Sequence, residues 1–387
     1  MRNITLDALP DRSSPTLGYP VLEGVAKTTL YYPAKDRDTF SHHAYIASHR
    51  GILYASWSNH ARDEDASGQR VRFSFSKDDG GSWHEPAELF PPQDLVKPRA
   101  EQDLARDRVL IANGFAVVEG TLYAVAEAHV MGEESERVLV PPPEYDVRRP
   151  KLRPVWTRPG LGRLARSIGT GGELGPIFWL VDQPPAPLPG FEAYPPATDP
   201  TFAATARAIN AYLARPEHWP SWEFVNCTTR AWAVDGHRMC EPTQAWHLPD
   251  GSMARLWRDL TRGSGVQYGQ FSADGDHWDP PFPSDVPGAY TRAAAGNLPD
   301  GTAYLVHNPG QGRDPLVVSL AADGLHFDRH GVIAHNAPEH RYEGHAKNPG
   351  FQYPRAVIHN DMLFALYSVN KEHMEIAAVP LNKLATL

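Results

Sequence analysis

Five places in the chain set chemically active side chains at the start of one short apolar run and at the end of the next. They are His42-His43 with Asn59-His60, Asn113 with Glu127 and His129, Glu241 with Arg258 and Asp259, Arg292 with His307-Asn308, and Tyr353 and Arg355 with Asn370. Arg313 follows close behind the fourth set. Arg258, Arg292 and Arg355, with Asn113 and Asn308, suit a carboxylate or sulfate, because guanidinium binds such groups bidentately. His42 and Asn59 add further donors beside them. His43, His60 and His129 can exchange protons near neutral pH, and Tyr353 can do so when activated. Clear carboxylates are fewer: Glu241, Asp259 and Glu127. The histidines could instead hold a metal, zinc or an axial calcium, but no H-x-x-H or C-x-x-C pair stands in one local motif. The sequence itself requires no cofactor.

Each set belongs to two strands joined by a tight turn. The runs are HHAYIASHRGILYASWSN from His42, NGFAVVEGTLYAVAEAH from Asn113, EPTQAWHLPDGSMARLWRD from Glu241, TRAAAGNLPDGTAYLVHN from Thr291 and YPRAVIHNDMLFALYSVN from Tyr353. Gly, Asp and Asn fill the turns because they take φ > 0 or bond their own backbone. After most runs come a third strand, a turn and a fourth strand, as in RVRFSFSKDDGGSWHEPAELF. Four-stranded units recurring at about 40 to 60 residues predict an all-β fold, a single β-propeller over residues 1–387. Five blades are counted, and the irregular stretch 184–238 leaves room for a sixth.

The period breaks between 131 and 238. That segment reads as the outer strands of the second blade plus a Pro-rich loop, VLVPPPEYDVRRPKLRP, and one helical insertion. The helix is expected over 201–219, where Phe202, Ala206, Ile209 and Leu213 follow a 3.6 period. The last unit has three strands, and EGVAKTTLYYP near the N-terminus is expected to supply its fourth. Such closure removes free sheet edges. The 37 Pro and 31 Gly agree with short strands and frequent turns.

Propeller geometry then explains why the polar sets matter. In every blade the first strand starts near the axis on one face, and the second strand returns to that face. The strand ends named above therefore converge on one central well. The opposite-face turns read HRG, VEG, LPDG, LPDG and HND, which are ordinary turn residues. Strand ends are often polar by chance, so the argument rests on the convergence of the whole set. Trp57, Trp246 and Trp257 lie in the same runs and are expected to pack between blades.

SKDDGGSW from Ser76 fits the pattern S-x-D-x-G-x-[ST]-W, the Asp-box or BNR repeat. A shorter copy, SADGDHW, begins at Ser272, and a degenerate one, AADGLHF, at Ala321. Each stands between the third and fourth strands of its blade. On these motifs the chain resembles the sialidase-like β-propellers. HHAYIA, YASWSN, GRDPLVVSL and FQYPRAVIHNDMLFALYSVN are further similar to a branch with ulvan lyases, L-rhamnose–glucuronate lyases and related α-L-rhamnosidases. Those relatives are often described with seven blades, so the count of five departs from them. Sialidases use an arginine triad, a Tyr/Glu nucleophile pair and an Asp acid. Their first triad Arg sits in an R-I-P tripeptide, which is absent here.

With bases and anion binders outnumbering acids, the expected activity is cleavage of an acidic, uronic-acid-containing glycan by β-elimination. Arg and Asn would neutralise the sugar carboxylate while His or Tyr takes the adjacent proton. A glycoside hydrolase of sialidase or rhamnosidase type is the alternative, and a non-catalytic glycan-binding propeller a third. The expected partner is an acidic oligosaccharide or polysaccharide; the sequence leaves the oligomeric state open. A net charge of −9 argues against nucleic acid, and no long apolar run suggests a membrane span. Cys227 and Cys240 are too few for a disulfide framework. As written, the sequence reads as cytoplasmic; a longer form with a leader would be secreted or periplasmic.

Overall fold

This computed structural model describes residues 2–387 except 8–9, 35–36, 65–67, 94–107, 131–138, 141–154, 157–159, 189, 216, 219–232, 260–263, 289–290, 311 and 345–346. Most of the Pro-rich loop and Cys227 lie outside the described residues. Five four-stranded antiparallel blades follow one another along the chain. The first runs Phe40–His49, Ile52–His60, Arg70–Ser76, Ala87–Phe90. The second runs Arg108–Val118, Thr121–Val130, Gly160–Ile168, Phe178–Trp179. In the third, the innermost strand comes in two pieces, Met239–Cys240 and Trp246–His247, both against Met253–Asp259; Val266–Ser272 and Phe282–Pro287 complete it. The fourth is Ala294–Asn297, Ala303–His307, Leu316–Ala321, Arg329–Ala334. The fifth is Phe351–His359, Met362–Val369, His373–Pro380 and, from the other end of the chain, Ala26–Tyr31. This last pairing is the expected ring closure.

Between the blades lies the core. Phe364 and Leu366 of the fifth blade pack with Leu53 and Trp57 of the first. Tyr54 and Phe73 of the first pack with Leu110 and Ala124 of the second. Trp57 and Trp246 are fully buried between blades, and Trp257 packs on Met239 and Tyr268 within the third. None of the three reaches the rim.

The Asp-boxes are structural turns. Asp78 accepts from Ser76 Oγ at 2.8 Å, from the Ser82 N–H at 2.8 Å and from Ser82 Oγ at 2.6 Å. Asp274 and Asp323 likewise each accept two backbone N–H groups. Gly80 sits at φ 86°, and a Cβ there would come within 2.7 Å of the Phe364 ring, so the motif's glycine is required by the neighbouring blade.

The helical insertion is real but shorter than expected, Ala203–Leu213 rather than 201–219. Pro216 accounts for the early end, because the residue before proline is driven out of helical conformation. Ala206, Ile209 and Leu213 form the buried stripe, against Ala116, Val125, Ala165 and Phe178 of the second blade. Burying a side chain such as Ile209 or Leu213 contributes about 1.5–3 kcal/mol. The described part of 184–238 holds this helix and no further sheet. No helix among the described residues is long and apolar enough to cross a membrane.

Candidate active site

One backbone irregularity recurs around the axis and aims the site. In the first blade His42 pairs with Ser58 and Tyr45 with Ser56, so His43 and Ala44 together face one partner residue. The same two-against-one step holds Asn113-Gly114 in the second blade and Tyr353-Pro354 in the fifth. In the third, Cys240 pairs with Arg258 and the Thr243 N–H donates to Leu256 O, which leaves Glu241-Pro242 in the equivalent place. Each of the four steps contains a positive φ: His43 at 55°, Gly114 at 101°, Glu241 at 48° and Tyr353 at 51°. Such bulges re-aim side chains. Left-handed backbone at a bulky residue costs about 1–3 kcal/mol and concentrates at functional sites.

Around the axis three of these residues converge. The Tyr353 hydroxyl donates to Glu241, with Oε1 at 2.8 Å and Oε2 at 3.0 Å. Arg258 Nη1 donates to the same hydroxyl at 2.7 Å and to Glu241 Oε2 at 2.6 Å. The His42 ring lies tilted against that of Tyr353 with centroids 4.2 Å apart, and His43 lies 6.0 Å from it. His43 Nε2 is 3.0 Å from Glu64 Oε1, and Lys371 Nζ donates to the other Glu64 oxygen. The histidines' inner nitrogens are fixed by hydroxyls: His42 Nδ1 by Ser368 Oγ at 2.7 Å, His43 Nδ1 by Ser58 Oγ at 3.0 Å. His42 and His43 are fully buried, while Glu64, Glu241 and Arg258 keep 10–12% of their side chains open to solvent.

The electrostatics follow from this packing. Burial, with Lys371 and His43 nearby, pushes His42 well below its ordinary value, so it is neutral. Burial alone would raise Glu64, but Lys371 and the bond from His43 hold it well below the usual carboxylate range. Burial raises Tyr353 well above its ordinary value despite Arg258, so it rests as a phenol. Arg258 stays protonated: burial disfavours its charge, but Tyr353 and Glu241 more than offset that.

Guanidinium groups line the same well. Arg292 is fully buried, 5.1 Å from the Tyr353 ring and 5.3 Å from Tyr45. It donates from Nη2 to Ala44 O at 3.4 Å, while Nε and Nη1 meet no hydrogen-bond partner among the described residues. Arg355 lies with its guanidinium 4.8 Å from the Tyr45 ring, and burial beside Arg292 lowers it to about 10. Arg313 sits 5.7 Å from the Tyr353 ring and donates to Gln352.

The remaining expected residues sit elsewhere. Asn113 donates to Glu127 Oε2 at 3.1 Å, and His129 Nε2 is 3.6 Å from Glu127 Oε1, all three fully buried in the second blade. Three expected residues bond local backbone and side chains. Asn59 spends its amide on Phe40 O and Ser41 Oγ and its oxygen on Arg70 and Arg72. His60 Nδ1 accepts the N–H groups of Arg62 and Asp63, shaping the loop after the strand. Asn308 donates to the carbonyls of Arg313 and Pro315. Each stands at a strand end, as read, but holds backbone there.

Two residues of the well, Glu64 and Lys371, escaped the sequence reading. Both stand in loops beyond a second strand, where spacing gives no facing. The signal available was the acidic run DED at 63–65, placed just after Asn59-His60. His42, His43 and Glu64 offer ligand atoms all within 4.8 Å of one another, a set able to hold a metal, but the Lys371 ammonium already bonds Glu64.

Comparison with known proteins agrees with this architecture. Residues 206–366 match a family model described as a BNR repeat-like domain. A solved sialidase superposes with a TM-score of 0.71 at 22% identity, covering 98% of this chain and 35% of that one. Trypanosoma rangeli sialidase in complex with sialic acid gives 0.53 at 13% identity, over 95% of this chain and 61% of that one. The intramolecular trans-sialidase from Ruminococcus gnavus, in complex with oseltamivir carboxylate, gives 0.55 at 12%, over 92% and 98%. This chain thus spans about a third of the first of these structures and under two thirds of the second. No curated protein sequence matches it. At these identities the structural likeness speaks for fold alone: the β-propeller of this chain is similar to that of the sialidases, and its 206–366 segment to a BNR repeat-like domain.

Proposed function

We propose that this propeller cleaves a glycosidic bond of an acidic sugar, with Tyr353 as the attacking group and Glu241 as its proton acceptor. The observation that carries the reading is the Tyr353 hydroxyl held between the Glu241 carboxylate and Arg258. As Oη attacks the anomeric carbon, its proton passes to Glu241, and Arg258 stabilises the charge that develops on oxygen. The leaving oxygen takes a proton from the His43–Glu64 pair. Water, deprotonated by that pair, then displaces Tyr353, which recovers its proton from Glu241. A neutral phenol suits an anionic sugar, whose own carboxylate would repel a carboxylate nucleophile. Tyrosine nucleophiles are the recognised exception among glycosidases.

Arg292 supports the acidic substrate. A buried guanidinium with unfilled donors is costly, and a sugar carboxylate would fill them. The likeness to sialidases supports a glycan as the partner.

A second reading keeps the same groups. His42 against Tyr353 at 4.2 Å, with Arg292 to neutralise a uronate, also suits proton abstraction and β-elimination. One experiment separates the two. The protein is incubated with acidic oligosaccharides while far-ultraviolet absorbance, reducing sugar and protein mass are followed. The hydrolase reading expects reducing sugar without an absorbance rise, and a glycosyl adduct on the peptide bearing Tyr353. A rising absorbance from unsaturated uronate favours elimination. Release of no product from any acidic glycan defeats both.

A further inference from the structure

Tyr32 is the one aromatic among the large apolar side chains that stand exposed in the described residues; the others are Val21 and Val234. The residue is 56% exposed. The ring is nevertheless held. The Arg341 guanidinium lies 3.7 Å from its centroid and 4.9 Å from that of Tyr342, and Lys347 Nζ lies 5.4 Å over Tyr342. Glu372 fixes the base of this stack by accepting the N–H groups of Arg341 and Tyr342 at 3.0 and 2.7 Å. The result is a ladder of ring, cation, ring and cation, anchored below and open at Tyr32.

Its position is as informative as its exposure. Tyr32 follows the ring-closing strand, where Tyr31 pairs with Met374. Its ring lies 5.3 Å from that of His373, two residues from the Lys371 that bonds Glu64. Lys347 Nζ also reaches Thr39 Oγ1, at 3.1 Å, beside the first strand of the first blade. The ring therefore stands at the end of the fifth blade where the second strand also finishes, the end that faces the well, but at the tip of the blade's outermost strand.

We propose that Tyr32 is a stacking platform for a further sugar ring of a chain whose acidic sugar lies in the well, so that the substrate is an oligosaccharide rather than a simple glycoside. The inference rests on the glycan reading above. A pyranose has an apolar C–H face that matches an aromatic ring, and hydroxyl edges that Arg341 can bond. A ring already clamped by Arg341 loses little freedom when it binds, which favours affinity.

Binding alone tests this, without turnover. Full-length Tyr353→Phe protein is titrated calorimetrically with sialic acid and sialyllactose, and with galacturonic acid and tri-galacturonate. In one series the oligosaccharide is expected to bind about fivefold to tenfold more tightly than its monosaccharide. Tyr32→Ala in the same background removes that advantage and leaves the monosaccharide unchanged, whereas Tyr32→Phe keeps it. Equal affinity of the two sugars, or an advantage that survives Tyr32→Ala in a folded protein, overturns the platform alone. Failure of every sugar to bind overturns the glycan reading, and the platform with it.

Discussion

Tyr353 and Glu241 occupy the same step of the same bulge in two different blades, each at positive φ, each followed by proline, and their side chains meet at 2.8 Å. Two strained backbone positions, far apart in sequence, are thus combined in one hydrogen bond near the axis. The strain has a use if that bond is the reactive one. Tyr353→Phe removes one oxygen and keeps the ring that packs against His42. Turnover of the cognate glycan is expected to fall by at least about a thousandfold with little change in melting temperature. Glu241→Gln should lose about 10²–10⁴-fold, because the proton acceptor is gone while the shape remains. Near-normal rates in either variant would remove these residues from the reaction.

Arg292 sets function against stability. Its guanidinium is fully buried and two of its nitrogens meet no acceptor among the described residues. Arg292→Met keeps the stem and deletes a buried charge, so the unliganded protein should melt at a higher temperature. The same variant should lose affinity for an acidic sugar by about tenfold to a hundredfold, the loss of a charge-assisted contact. Calorimetric binding together with thermal melts reads both. A variant that is less stable and binds unchanged would show Arg292 to be a structural residue with no anion to hold.

Three buried histidines predict how the fold answers acid. Burial pushes His307 down to about 3 and His373 to about 4, and His42 lies well below its ordinary value. As pH falls through about 6.5 the unfolded chain gains protons on these rings while the folded chain stays neutral. The unfolded state then binds more protons, so stability declines with falling pH. Melting temperature should be flat from pH 8 to 7 and drop progressively from about 6.5 toward 4. His307→Gln keeps a partner for Ser319 Oγ and should make the drop shallower. A melting temperature that rises on acidification would contradict the burial of these groups as neutral rings.

Much of this architecture was readable because propeller blades are local. The five strand pairs each occupy a continuous run, so alternation and turn residues revealed them, and the Asp-boxes marked the third turns. The direction of each strand then placed His42, His43, Glu241, Arg258, Arg292 and Tyr353 at the well. What stayed hidden depends on contacts between distant segments. The bulges are invisible in residue type except through Glu241-Pro242 and Tyr353-Pro354. Glu64 and Lys371 lie in loops, and loops have no periodicity to give a facing. Asn59, His60 and Asn308 have the right position, but a strand end also needs its own backbone groups satisfied, and that demand claimed them.

The last expectation separates scaffold from site. Asp78 and Gly80 belong to the full Asp-box of the first blade, and neither touches the well. Hydrogen bonds from Ser82 and Ser76 lower Asp78 to about 2, so it is ionised throughout the working range. Asp78→Ala would leave the Ser82 N–H and two hydroxyls to solvent, and the melting temperature should fall. Gly80→Ala should cost more than about 1 kcal/mol, since the new Cβ meets both a left-handed φ and the Phe364 ring at 2.7 Å. That contact joins the first blade to the fifth, so the damage should appear as loosened ring closure. Faster amide exchange in Met362–Val369 would report it. Turnover per folded molecule should stay within about twofold for both variants, as for surface changes away from a site. A large loss of turnover with an unchanged melting temperature would instead make the box part of the catalytic machinery.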